Sequence, residues 1–237
     1  MQTGEIKNNM EEKKFVGVRK DEYNLKLFVK RMFGKGKISK IKIEYTPVGE
    51  RIIVSTHKPG WIIGKKGEKI AELTEILKKR FKMENPHVDI EEILHPEFDA
   101  QLLADGIALT LERFGAARYK SASYRVLSQI KKAGALGAEL RVSGRLPSER
   151  ARVWRFAFGY LKKTGDSSNL VDIAFATATT KQGVVGIKVS VLSPDVKLAD
   201  RIEVNEEFLA GLNKESFDEE PEIAVLKGTS KKKRSKK

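Results

Sequence analysis

Residues 57–70 read HKPGWIIGKKGEKI. Two glycines, Gly64 and Gly67, bracket two lysines, Lys65 and Lys66, where an apolar run gives way to a helical one. A glycine has no Cβ, so a phosphate can come within hydrogen-bonding distance of its backbone. Gly67 stands where the next helix should begin, and free N–H groups and the helix dipole favour an anion there. The lysines add two mobile positive charges. Beside them, Ile62, Ile63, Ile70 and Val54 offer an apolar strip for unstacked bases. That combination describes a groove for single-stranded nucleic acid. The bland alternative is a surface turn. A nucleotide-binding loop is excluded by spacing, because GWIIGKKG has too few residues before its GK and no Ser or Thr after it.

Other cations fall into two groups. Along a helix expected over 117–133, Arg118, Arg125 and Lys132 recur every seven residues, two turns or ~10.5 Å apart on one edge. Tyr119, Ala122, Val126, Ile130 and Ala133 form the stripe to be buried, with Lys120 and Lys131 on its other edge. The first edge carries no acid, which favours phosphate contact over an ordinary solvated face. Farther on, Arg141, Arg145, Arg150, Arg152 and Arg155 straddle the strand ELRVSGR and its loop. The guanidinium fork suits phosphates and base edges, but Glu139 and Glu149 are close enough in sequence to pair with some of these arginines. Trp154, Phe156, Phe158 and Tyr160 alternate and suit a core or a protein contact. Trp61 is the aromatic nearest the loop, and serves either RNA or the anchoring of a short helix.

Catalysis finds no support. There is no cysteine, the three histidines lack metal-ligand spacing, and no Ser/His/Asp or paired-carboxylate constellation occurs. A nucleophilic lysine would need a desolvated site, and no pattern marks one. The expectation is no catalytic residue, no metal, no cofactor and no small-molecule substrate.

The charge points to a polyanion. The chain carries +14 over 237 residues. Residues 203–226 hold eight acids and one lysine, residues 227–237 hold seven basic residues and no acid, and the two segments cancel. The whole excess therefore belongs to residues 1–202. A body so charged repels itself unless it meets a polyanion, most often nucleic acid. No apolar run reaches the ~18 residues of a membrane helix, and the polar N-terminal segment does not read as a secretory signal, so no membrane partner is expected.

The elements that must position these residues follow from periodicity. A helix is expected over 21–33 from Leu25, Phe28, Val29 and Met32, ending at Gly34. Strands KISKIKIEY and RIIVSTH follow, then a short helix near Trp61, the GKKG loop, a helix EKIAELTEILKKRF and a strand HVDIEEI. A second unit has helices over 98–115 and 117–133, then strands AELRVSG, VWRFAFGYLKK, LVDIAFATATT and GVVGIKVSVL, the last two joined across Lys181, Gln182 and Gly183. The fold class is α+β, two helices on a mostly antiparallel sheet following a mixed first unit.

Helix–strand–strand–helix–GxxG–helix–strand resembles a KH domain of the type II arrangement. Continuing through GALGAELRVSGRLPSERAR and TTKQGVVGIKVSVL, the chain resembles the KH-containing family numbered three among the universal small-subunit ribosomal proteins. The similarity runs from about residue 15 to 194. GAxGAExxVSGRL and GVVGIKV are its most specific parts, and the DEYxxKxFVKR start and Lys-rich end look like the archaeal or eukaryotic branch. The resemblance implies an N-terminal extension over 1–14, a KH RNA-binding domain over 15–95, a ribosomal α+β domain over 96–195 and an extended charged tail over 196–237. It also implies a cytoplasmic ribosomal place in the small-subunit head. Partners there are ribosomal RNA, messenger RNA in the channel by which it enters, and neighbouring head proteins. The helix that carries Lys120 and Arg125 is the one the family uses in that channel. The competing reading is a KH-type RNA-binding assembly or decay factor outside the mature ribosome, which would lack the VSGRL half.

Overall fold

The computed structural model describes residues 2–47, 49–81, 83, 85–147, 150–196 and 198, with side chains from residue 12 onward. Apart from residues 196 and 198, the expected tail, with its acidic and Lys-rich segments, lies outside the described residues, as does Glu149.

The first helix, α1, spans Gln2–Phe33, and so begins well before residue 21. Residues 12–20 are nearly all exposed, Phe15, Val16 and Val18 included. The apolar periodicity that marks a buried face is therefore missing there, although the segment has no proline to prevent a helix. From Leu25 on, α1 buries Leu25, Val29 and Phe33 against a small sheet. That sheet comprises β1 (Ile38–Thr46), β2 (Gly49–Thr56) and β3 (His87–Glu92) in that order. β1 and β2 form an antiparallel hairpin, whereas β2 and β3 are parallel. A parallel pair requires a crossover, and here α2 (Pro59–Ile63), the GKKG turn and α3 (Glu68–Phe81) supply it. Ile52 and Val54 of β2, Ile62 of α2 and Leu73 and Leu77 of α3 are fully buried and lock that crossover to the sheet.

The second half has its own core. Helices α4 (Ala100–Phe114) and α5 (Tyr119–Lys132) cover one face of a four-stranded antiparallel sheet. Its strands are β4 (Gly137–Gly144), β5 (Arg152–Gly159), β6 (Asp172–Thr180) and β7 (Gly183–Leu192), arranged β5-β4-β7-β6. Asp99 caps α4 by accepting the N–H groups of Gln101 and Leu102. Strand alternation puts Ala138, Leu140 and Val142 under the helices and turns Glu139 and Arg141 to the opposite face.

Polar contacts fasten the two halves. Lys35 Nζ lies 2.7 Å from Glu112 and donates to the carbonyl of Thr177 at 2.9 Å. The Gly36 N–H donates to Asp105 at 3.0 Å, and Lys40 pairs with Asp172 at 3.1 Å. Among the described residues, no helix is long and apolar enough to cross a membrane, and no group of three or more His, Cys, Asp or Glu converges as a metal site would.

Candidate nucleic-acid interface

The GKKG residues form a tight turn between α2 and α3. Gly64 has φ 75° and ψ −171°, and its N–H closes α2 on the Gly60 carbonyl at 3.1 Å. A Cβ at Gly64 would stand 2.9 Å from Cγ of Lys69, so both conformation and space select glycine. Gly67 is chosen by conformation alone: φ is 80°, and nothing lies within 4 Å of the Cβ position. Between them Lys66 takes a left-handed conformation, φ 54° and ψ 22°, and is the only non-glycine residue with positive φ among the described residues. Such backbone costs about 1–2 kcal/mol for an L-residue. Lys65 and Lys66 are both exposed. The 14 residues of α3 begin right after the turn. The Glu68 N–H goes to the Lys65 carbonyl, and the next first-turn N–H groups have no partner within the helix.

Among the described residues the cations around this turn lack counterions: Lys37, Lys58, Lys65, Lys66 and Lys69 make no salt bridge, although Arg19, Lys35, Lys40, Arg51, Lys79, Arg141, Arg155 and Lys163 each do. Charge gathered without partners at one end of a crossover is what a phosphate chain would neutralise. The apolar strip expected there needs correction. Ile62 and Val54 are fully buried core residues that no base can reach, which leaves Ile63 and Trp61 exposed and Ile70 half-buried against the core.

α5 begins at Tyr119, and Arg118 belongs to a separate 3-10 turn started by Gly115 at φ 85°. Arg118 is the N-cap of α5, φ −87° and ψ 11°, and its guanidinium lies 4.9 Å from the Phe114 ring centre. Arg125, Lys131 and Lys132 are exposed on α5 and, among the described residues, without an ion-pair partner. Lys120 is exposed with its Nζ 4.9 Å from the Trp154 ring centre. The buried stripe is Tyr119, Ala122, Ser123 and Ile130, with Val126 half-buried.

The arginine group divides. Arg141 hydrogen-bonds the buried carboxylate of Glu139, which Arg155 reaches at 3.2 Å and Lys163 at 2.7 Å. Burial alone would push the Glu139 carboxyl up; hydrogen bonds from Lys163, Arg141 and Arg155 outweigh it and pull the pKa down to about 2. Arg141 is thus committed to the fold, as one of the pairings anticipated for Glu139. Arg145 and Arg152 are exposed and free of ion pairs among the described residues, and Arg150 is exposed beside the undescribed Glu149. Sequence reasoning missed Lys163, 24 positions from Glu139, and it missed Lys37 and Lys58, which converge only when β1 and α2 pack.

A KH-type α/β unit carrying a cationic glycine turn, joined to a helix-covered antiparallel sheet, defines a class of RNA-binding protein. Residues 24–98 match the KH domain family, and residues 107–191 match the family described as ribosomal protein S3, C-terminal domain. The small ribosomal subunit protein uS3 of Archaeoglobus fulgidus is 39% identical over 218 residues, covering 92% of this chain and 94% of the relative. That of Methanocaldococcus jannaschii is 38% identical over 181 residues, 76% and 86% of the two chains. That of Methanococcus maripaludis is 34% identical over 196 residues, 82% and 92%. The chain belongs to the uS3 family of small-subunit ribosomal proteins.

Proposed function

We propose that the chain is a structural constituent of the small-subunit head in the cytoplasmic ribosome. It holds ribosomal RNA and lines the channel by which messenger RNA enters during translation. Family membership supplies the ribosomal, non-enzymatic role; the RNA contacts are read from this chain's own residues. In this reading residues 15–95 are the KH RNA-binding domain, residues 96–195 dock in the head, and residues 196–237 are a charged tail.

One observation carries the proposal: Lys37, Lys58, Lys65, Lys66 and Lys69 gather around one glycine turn, and among the described residues none of them makes a salt bridge. Gly64, Lys65, Lys66 and Gly67 grip a phosphodiester by backbone and side chain. Lys120, Arg125, Lys131 and Lys132 present a cationic helix to a passing strand, with Arg118 at its start. Arg145, Arg150 and Arg152 add phosphate contacts from the second domain, and Arg141 acts there through Glu139 as a fold residue.

The reading is tested on small subunits assembled with the full chain. The protein should co-sediment with them through a high-salt wash, and photoreactive messenger should cross-link to α5. Recovery of the protein only in the free pool would overturn the ribosomal placement. Cross-links confined to other proteins would remove the messenger channel from it.

A further inference from the structure

Trp61 precedes the GKKG turn by three positions and stands 55% exposed. Anchoring does not explain it, because α2 is already fixed by its next residue, Ile62, which is fully buried. Among the described residues the indole makes no ring–ring contact. Its neighbours are cations: Lys37 Nζ lies 5.2 Å and Lys58 Nζ 5.5 Å from the ring centre. Lys69 Nζ donates to the Trp61 carbonyl at 3.3 Å, holding the residue's backbone from α3. The same Lys69 stem fills the space at Gly64, so one side chain ties the Trp61 backbone to the glycine turn.

We infer that Trp61 is a stacking platform for one unstacked nucleobase of a single-stranded RNA, next to the phosphate held by the GKKG turn. This inference rests on the RNA-holding role proposed for that turn. An exposed indole offers a large π-face, and stacking a base on it outweighs the surface cation–π contacts it would replace. Lys37 and Lys58, displaced from the ring or sharing it, then reach the phosphates flanking the stacked nucleotide. The turn would take the backbone while the indole takes the base. Stacking tolerates any base, so the platform adds affinity with little sequence preference.

The test uses the full chain labelled with 5-fluorotryptophan. Its two tryptophans give two fluorine resonances, assigned with Trp61→Phe. The ligands are a short oligouridine and an abasic ribose-phosphate oligomer of equal length. The oligouridine should shift the Trp61 resonance, and the abasic oligomer should bind without doing so. Trp61→Ala should lose about tenfold in affinity for the oligouridine and keep its affinity for the abasic oligomer, with Trp61→Phe in between. Equal losses for both oligomers would make Trp61 a structural residue and overturn the inference. So would oligouridine binding that leaves the Trp61 resonance in place while Lys65→Gln/Lys66→Asn still abolishes it, and the turn's role would then stand alone. Failure of the unmodified chain to bind either oligomer would overturn both readings.

Discussion

Lys163 Nζ lies 2.7 Å from Oε2 of Glu139, whose carboxylate is buried on the sheet face opposite the helices. Arg141 and Arg155 complete the group. Because these partners hold the folded pKa at about 2, below the ordinary 4.5, the carboxylate contributes stability that is fully present above about pH 4.5. It is lost as the pH falls towards about 2. Glu139→Gln should therefore lower unfolding free energy at pH 7 by roughly 1–2 kcal/mol, less than the ~3–5 kcal/mol of a fully buried broken pair, because the cations can return to water. The deficit should shrink over that range and vanish below about pH 2. A deficit of constant size across that range would mean that packing, not charge, is what the substitution removes.

The left-handed backbone at Lys66 separates function from stability. Lys66→Gly relieves the positive-φ penalty at the cost of a more flexible unfolded chain. Its stability should equal that of the unmodified protein or exceed it by up to about 1 kcal/mol, while its RNA affinity falls. Thermal unfolding and RNA titration on the same preparation check this. A destabilised variant would show that the side chain has structural contacts of its own.

The clasp between the halves turns on Asp105, which accepts from the Gly36 N–H and from the Gln101 amide, each at 3.0 Å. Burial pushes its carboxyl up, against those two hydrogen bonds. A raised acid favours the folded state most when protonated, so this group's contribution declines as pH rises through its folded pKa. Asp105→Asn keeps an oxygen for Gly36 and removes the buried charge, and should change stability at pH 7 by less than about 1 kcal/mol. Asp105→Ala leaves the Gly36 N–H without its acceptor and should cost about 1–3 kcal/mol. Denaturant titrations at pH 7 distinguish the two. Equal losses would assign the effect to the charge and not to the acceptor.

What was legible in the sequence is what depends on local spacing. The GKKG turn could be read because both glycines and the onset of α3 lie within a few residues of one another. The four strands of the second sheet showed their alternation and turn residues. Long-range packing hid the rest. Val54 and Ile62 are apolar in either reading, and only the crossover shows that they face the core. The 3-10 turn that follows Gly115 runs into α5, so the helix starts at Tyr119, two residues later than the spacing suggests. Arg141 looks like its arginine neighbours until β4 places it beside Glu139. The early part of α1 stayed hidden because an exposed helix carries no apolar period.

The most direct test of the central claim is the salt dependence of single-stranded RNA binding by the full chain, unmodified and as Lys65→Gln/Lys66→Asn. Asn is chosen at position 66 because it tolerates left-handed backbone. If both lysines contact phosphates, the variant binds more weakly and its log–log salt slope is shallower by about 1.4, two contacts at about 0.7 each. Unchanged affinity and slope, with the fold intact, would contradict the account and return the GKKG turn to an ordinary surface loop.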